Sequence, residues 1–216
     1  MQNELTINLA AISAMAERRE DEQGGPAAPA ALASLVARAR GGEADAFEEI
    51  ILLYQRQVLG IAGRLLGNSD DARDAAQEVF LRLHKYLHRF DEERALSPWL
   101  YRVTVNVCRD IGRRRRSGST LSLEQEHEQG RLDHLAAHHD VEGEIGRAQE
   151  KQIIAAALAT LPEKERAAVV LRDIVGLETR EVARILRTSE STVRSQISMA
   201  RVRIKRYRDK VLGRGK

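Results

Sequence analysis

The sequence predicts an all-α protein: two small helical domains joined by a flexible acidic linker. Three observations carry this. Apolar residues recur at steps of three and four through every periodic segment, and no strand or hairpin signal interrupts them. Hydrophobic residues make up 43% of the 216, but aromatics only 4%. Cores built from Leu, Val, Ile and Ala suit helical bundles and exclude a sheet carrying rows of base-stacking aromatics. Charge is also segregated, although the formal net is only +3. Over 194–216, nine Lys/Arg face Asp209 alone, about +8; over 117–150, eight acidic residues face Arg131 and Arg147, about −6. A basic end beside an acidic middle points to a nucleic-acid contact and a flexible or partner-facing segment.

Residues 1–30 read as a disordered extension that closes on GGPAAPA, which cannot continue a helix. The first domain is expected over 31–116. Leu32, Leu35, Val36 and Ala39 mark a short helix stopped by Gly41-Gly42. Phe47, Ile51, Tyr54, Val58, Ile61 and Leu65 form a stripe about six turns long, ended by Gly67-Asn68. Ser69 or Asp70 is the expected cap of the next helix, with Asp71 favourable in its first turn. That helix should bury Ala72, Ala76, Val79, Leu83, Leu87 and Phe90. After a charged loop, Ser97 as N-cap and Pro98 at the first helical position open a helix whose inward stripe is Leu100, Val103, Val107 and Ile111.

The linker is expected over 117–144. The second domain is expected over 145–212, followed by a tail, 213–216. Ile153, Ala157 and Leu161 line its first helix, Pro162 restarts the chain, and Val170, Leu171 and Ile174 line the next. Then comes a short helix over 178–186 with Val182, Ile185 and Leu186 inward. The turn Arg187-Thr188-Ser189 follows, with Thr188 or Ser189 capping a long basic helix. Its inward stripe is Val193, Ile197, Ala200, Ile204, Tyr207 and Val211. Arg194, Ser195, Ser198, Arg201, Lys205 and Arg208 fall largely on the other faces. A helix that buries one stripe and presents arginine and small hydroxyls elsewhere suits the major groove of DNA.

Two further constellations bear on function. Arg102, Asn106 and Arg109 recur on one side of the fourth helix, beside Trp99 and ahead of four arginines, 113–116. Arginine contacts phosphates, Asn bonds base edges, and an aromatic can stack an unpaired base. Asp74, Gln77, Glu78 and Leu81 share an exposed helix face that could dock a basic partner. Histidines pair at one-turn spacing (His84 with His88, His134 with His138 and His139), but no cysteine or carboxylate completes a set, so no metal is expected. No phosphate loop, nucleophile elbow or metal-protease motif is present, and neither catalysis nor a cofactor is expected. Cys108 is the only cysteine, which is consistent with a reducing compartment. No apolar run reaches the roughly 18 residues a membrane span needs, and the first residues lack a signal-peptide pattern. A soluble cytoplasmic protein is expected.

The segments DARDAAQEVFLRL, SPWLYRVTVNVCRDIGRRRR and LPEKERAAVVLRDIVGLETREVARILRTSESTVRSQISMAR, in that order, resemble the extracytoplasmic-function sigma factors of bacterial RNA polymerase. The resemblance covers about 31–116 and 145–212. It implies that the first block is sigma region 2, with Asp74, Gln77, Glu78 and Leu81 docking on core RNA polymerase. Trp99, Arg102, Asn106, Arg109 and Arg113 would then engage the promoter −10 element. It implies that the second block is region 4, reading the −35 element of promoter DNA through Ser189, Thr192, Arg194, Ser195, Ser198, Arg201 and Lys205. An anti-sigma factor is the further partner implied. Arg187 stands where such proteins commonly have glycine, Ser191 replaces another frequent glycine, and His84 a frequent tryptophan. The alternative reading is a helix-turn-helix regulator that binds DNA without joining polymerase; it leaves the Asp74 face and the 113–116 arginines unexplained.

Overall fold

The structure, a computed structural model, describes residues 29–90, 95–118 and 141–213. Residues 1–28 of the expected extension, the loop 91–94, the linker histidines and residues 214–216 lie outside them, while the last two residues of that extension, Pro29 and Ala30, open the first helix. Among the described residues there are eight α-helices and no strand. They are α1 (Pro29–Arg40), α2 (Ala44–Leu66), α3 (Ser69–Tyr86), α4 (Leu96–Gly118), α5 (Val141–Ala159), α6 (Glu163–Val169), α7 (Thr179–Leu186) and α8 (Glu190–Leu212). A 3₁₀ turn, Leu87–Arg89, follows α3, and a π turn, Val170–Ile174, continues α6. Helix therefore reaches Gly118 and resumes at Val141, inside both ends of the linker expected over 117–144.

Helices α1 to α4 pack around Ile50, Val58, Val79, Leu83, Leu96, Leu100 and Val107. In α2 the fully buried residue is Ile50, not Ile51, and Phe47 and Leu65 are only partly covered. Neighbours on several sides of α2 widen its apolar face beyond the single stripe that periodicity suggests. Gly67 ends α2 in the left-handed region at φ 71°. Asn68, rather than Ser69 or Asp70, caps α3: its side chain accepts from the backbone N–H groups of Asp70 and Asp71, both at 2.9 Å. Helix α4 starts at Leu96, one residue before the expected cap. The Ser97 hydroxyl bonds instead to the Tyr54 phenol at 2.9 Å. Pro98 is tolerated because first-turn N–H groups have no intrahelical acceptor.

Helices α5 to α8 pack around Val170, Leu171, Val182, Val193, Ala157, Ala168 and Ala200. Two largely buried carboxylates fasten α8. Asp173, on the π turn, takes Arg201 in a two-pronged pair at 2.7 and 3.0 Å. Glu165 of α6 meets Arg203 at 3.0 Å. Glu178 and Glu181 form a reciprocal capping box at the start of α7. Ser189, not Thr188, caps α8 by accepting from the Thr192 N–H at 3.1 Å. Between them Arg187 takes φ 54° and ψ 53°, and among the described residues it is the only non-glycine with positive φ.

The two bodies share a boundary that the sequence does not announce. Ile61, Tyr101 and Val105, from α2 and α4, are buried in the second core. Helix α4 thus has two apolar faces: Leu100, Val107 and Cys108 enter the first core, and Tyr101 and Val105 the second. Val103 and Ile111, expected inward, are only partly buried. Arg166 of α6 donates to the Leu65 carbonyl across the boundary at 2.7 Å, and to those of Ala159 and Leu161 at 2.7 and 3.0 Å. Glu163 pairs with Arg109 at 3.1 Å and Arg116 at 3.0 Å. Burying Ile61 and Val105 contributes roughly 1.5–3 kcal/mol each, whereas half-exposed ion pairs contribute about 0–1 kcal/mol. Apolar contact therefore dominates this boundary.

A left-handed conformation costs an L-residue about 1–2 kcal/mol, and glycine's extra unfolded-state entropy costs about 0.5–1 kcal/mol. The difference predicts that Arg187→Gly stabilises the protein by roughly 0.5–1 kcal/mol relative to Arg187→Ala. Denaturant unfolding of the two variants measures this, and a lower midpoint for Arg187→Gly than for Arg187→Ala would show that the turn carries no strain.

Candidate nucleic-acid interface

The outward residues of α8 follow from its buried ones. With Val193, Ile197 and Ala200 in the core, a 3.6-residue repeat turns Ser191, Ser195 and Ser198 to the opposite side, and all three are exposed. Ser189 and Thr192 are held in a small hydroxyl cluster, 2.7 Å apart, with Ser191 at 2.8 Å from Ser189. Arg194 is exposed and pairs with Glu190 one turn earlier at 2.9 Å. Lys205 is exposed. Arg201 is bound to Asp173, whose hydrogen bonds raise the guanidinium's already high pKa. It orients α8 as well as lying on its surface.

Sequence reasoning missed a second basic feature. Arg180, Arg184, Arg187 and Thr188 line a shallow concavity beside the start of α8, with Glu190 at its rim. The spacing 180, 184, 187 on one helix face was the available signal. Free N–H groups at the start of α8 add partial positive charge there.

On α4, Arg102, Asn106, Arg109 and Arg113 share a side, as expected from their spacing. Asn106 and Arg113 are exposed, and Arg113 pairs with Asp110 at 2.9 Å. Arg109 reaches the second body through Glu163. Trp99 is half-buried against the first core and meets Phe90 edge-to-face with ring centroids 6.2 Å apart. Arg115 lies 2.6 Å from the Asp71 carboxylate, tying the end of α4 to the start of α3.

On α3, Asp74 and Gln77 are exposed and Leu81 is 58% exposed. Glu78 pairs with Arg82 at 2.7 Å. Asp74, Glu78 and Arg82 line one wall of a groove whose other wall is α4, with Asp110 and Arg114. The four residues expected on one face do lie together.

Burial pushes the Cys108 thiol up to about 12, with Asp71 adding to the shift, so it is a protonated core residue at neutral pH. Among the described residues no three His, Cys, Asp or Glu side chains gather in a way that could hold a metal. His84 packs edge-on against Phe47, and the His88 ring accepts from Arg89 at 3.1 Å. No described helix is long and apolar enough to cross a membrane.

The Sigma-70 region 2 family matches residues 50–118, and the Sigma-70, region 4 family matches residues 151–204. The chain is 32% identical over 173 residues to the ECF RNA polymerase sigma-E factor of Escherichia coli, covering 77% of this chain and 88% of that one. It belongs to the ECF RNA polymerase sigma factors. The ECF sigma factor SigM of Mycobacterium tuberculosis is 32% identical over 81% of this chain and 83% of its own. The sigma-H factor of Pseudomonas aeruginosa is 32% identical over 77% and 88%. Among solved structures, CnrH in complex with the cytosolic domain of CnrY is similar, with a TM-score of 0.60 and 25% identity, covering 82% of this chain and 97% of that one. The sigma factor RpoE of Bartonella quintana, in complex with the anti-sigma factor NepR, shares the fold at 22% identity and a TM-score of 0.59, covering 74% and 95%. In this sigma factor the region 2 match runs from within α2 to the end of α4 and the region 4 match from within α5 to within α8, and the boundary described above joins the two bodies.

Tyr101 reports on that boundary. Burial, with Tyr54 and Glu181 nearby, raises its phenol to about 12, and the phenol donates to Gln57 at 2.8 Å. Because the folded pKa lies above the unfolded value of about 10, the stabilisation is complete below pH 10 and lost as pH rises through about 12. One such proton gives a slope of at most about 1.4 kcal/mol per pH unit. Tyr101→Phe should flatten stability against pH between 10 and 12, while costing about 1 kcal/mol at neutral pH for the lost hydrogen bond. An unchanged alkaline slope would show that Tyr101 titrates freely.

Proposed function

We propose that this sigma factor selects promoters by a division of labour between its two halves. Region 4 reads the −35 element through Ser195, Ser198 and Arg194, with Lys205 and Arg201 on flanking phosphates and the Ser189 and Thr192 hydroxyls shaping the start of α8. Region 2 engages the −10 element through Arg102, Asn106, Arg109 and Arg113, with Trp99 as a stacking surface for an unpaired base. The strip Asp74, Gln77, Glu78 and Leu81 on α3 docks on core polymerase. The observation that carries the reading is that each half presents its own cationic helix, while the α3 strip offers carboxylates and an exposed leucine beside them. We also place its work in the cytoplasm, with polymerase, and assign it an anti-sigma partner. CnrH, the solved relative at 25% identity, is held in a complex with the cytosolic domain of CnrY.

The geometry adds a requirement. Promoter elements at −35 and −10 lie about 25 base pairs apart, about 85 Å at 3.4 Å per step. Halves packed through Tyr101 and Val105 cannot span that. The 22 residues between Gly118 and Val141 reach at most about 75 Å when extended. With the width of each body this suffices. Promoter engagement therefore parts the boundary and releases Arg109 from Glu163.

Run-off transcription with core polymerase and a selected promoter library tests the function. The expected result is promoter-specific transcripts that core alone does not make. DNA binding without any initiation would mean a helix-turn-helix regulator instead. Asp74→Ala combined with Gln77→Ala should weaken core binding about tenfold or more and leave binding to free −35 duplex unchanged. Equal loss of both would refute the division.

A further inference from the structure

We infer that Met199 and Val202 on α8 are specificity-determining residues that read thymine methyl groups in the major groove. This rests on the reading of α8 as the −35 recognition helix and extends it to two residues outside the expected set. The core leaves both side chains without a packing role. Val193, Ile197 and Ala200 are buried and Ile204 is partly buried against the same cluster, whereas Met199 is 45% exposed and Val202 49%. An isolated exposed hydrophobic needs no explanation. These two are one turn apart and sit in the least charged strip of a strongly basic helix.

The arrangement of charge points to the occupant. Ser195, Ser198, Met199 and Val202 form an uncharged strip opposite the core. Arg194 and Lys205 lie along one edge, Arg203, which is paired with Glu165, along the other, and Arg206 follows one turn beyond Val202. That pattern complements a DNA major groove, whose uncharged base edges run between two rows of phosphates. Thymine's methyl is the apolar feature that the major groove presents. The strip carries no Arg, Asn or Gln to grip guanine or adenine in two-pronged fashion, so its chemistry is hydroxyl and methyl contact. From Ser195 to Val202 the helix advances about 10 Å, or about three base steps. The inference therefore assigns T·A pairs to the base steps under Met199 and Val202.

The test uses full-length protein assembled with core polymerase, and a duplex selected by that holoenzyme from a library randomised at the −35 position. Each thymine of the selected element is replaced in turn by deoxyuridine, which removes only the methyl. At least one replacement should weaken binding about fourfold, the equivalent of one buried methyl at about 0.8 kcal/mol. Met199→Ala or Val202→Ala should weaken binding to the thymine duplex by a similar factor. Each should also abolish the effect of deoxyuridine at one position, with the melting temperature unchanged because both side chains are exposed. Arg194→Ala separates the two levels of the claim. If it weakens −35 binding while deoxyuridine has no effect, or has the same effect in the Met199 and Val202 variants, the recognition helix stands and the methyl reading is overturned. If Arg194→Ala leaves binding untouched, the recognition reading itself fails, and this inference with it. Weakened assembly with core polymerase in the Met199→Ala variant, in the absence of DNA, would make the strip a protein-docking surface and would also overturn it.

Discussion

Helix α4 is packed from two sides, and the arrangement of both halves depends on it. Leu100, Val107 and Cys108 close the first core, while Tyr101 and Val105 complete the second. The row Arg102, Asn106, Arg109 and Arg113, proposed to meet the −10 element, occupies the surface left over. Its β-branched residues Val103, Thr104, Val105 and Val107 have poor intrinsic helix propensity, but burial on two sides outweighs a few tenths of a kcal/mol per residue. The same helix is therefore both the scaffold of region 2 and the seat of region 4. A change to Tyr101 or Val105 should be felt in the second half more than in the first.

The aim of α8 depends on a different device. Asp173 and Glu165, both largely buried, hold Arg201 and Arg203 from the core side. The left-handed Arg187 sets the angle between α7 and α8. Anchoring a basic helix by two of its own arginines leaves a narrower outward strip free of ion pairs to the core. The π turn at Val170–Ile174 matters for the same reason, because it delivers Asp173 to Arg201. A wide turn that places a charged anchor is a local irregularity with a positional use.

All-α class, two domains, helix order and the polar residues of α3, α4 and α8 were legible because each helix buries a periodic stripe and leaves the rest exposed. Boundaries missed by one residue wherever side-chain chemistry competed: Asn68 out-caps Ser69 because its amide oxygen reaches two N–H groups, and Ser97 is drawn to Tyr54. Ile50 replaced Ile51 because a helix with several neighbours buries an arc wider than one stripe. The second face of α4 was hidden for the same reason. Tyr101 and Val105 are off the main stripe, and a periodicity argument assigns off-stripe residues to solvent. Arg187 marked a place where the family often has glycine, and the positive φ supplies the physical reason.

The proposed promoter reading requires the docked halves to come apart when both elements are engaged. Spin labels at Arg56→Cys on α2 and Ala155→Cys on α5, both exposed positions, in a Cys108→Ala background, measure this directly by pulsed electron spin resonance. The account predicts a single short separation in the free protein that lengthens by tens of ångströms in the polymerase–promoter complex. A separation that is the same in both states, or already long in the free protein, would contradict it.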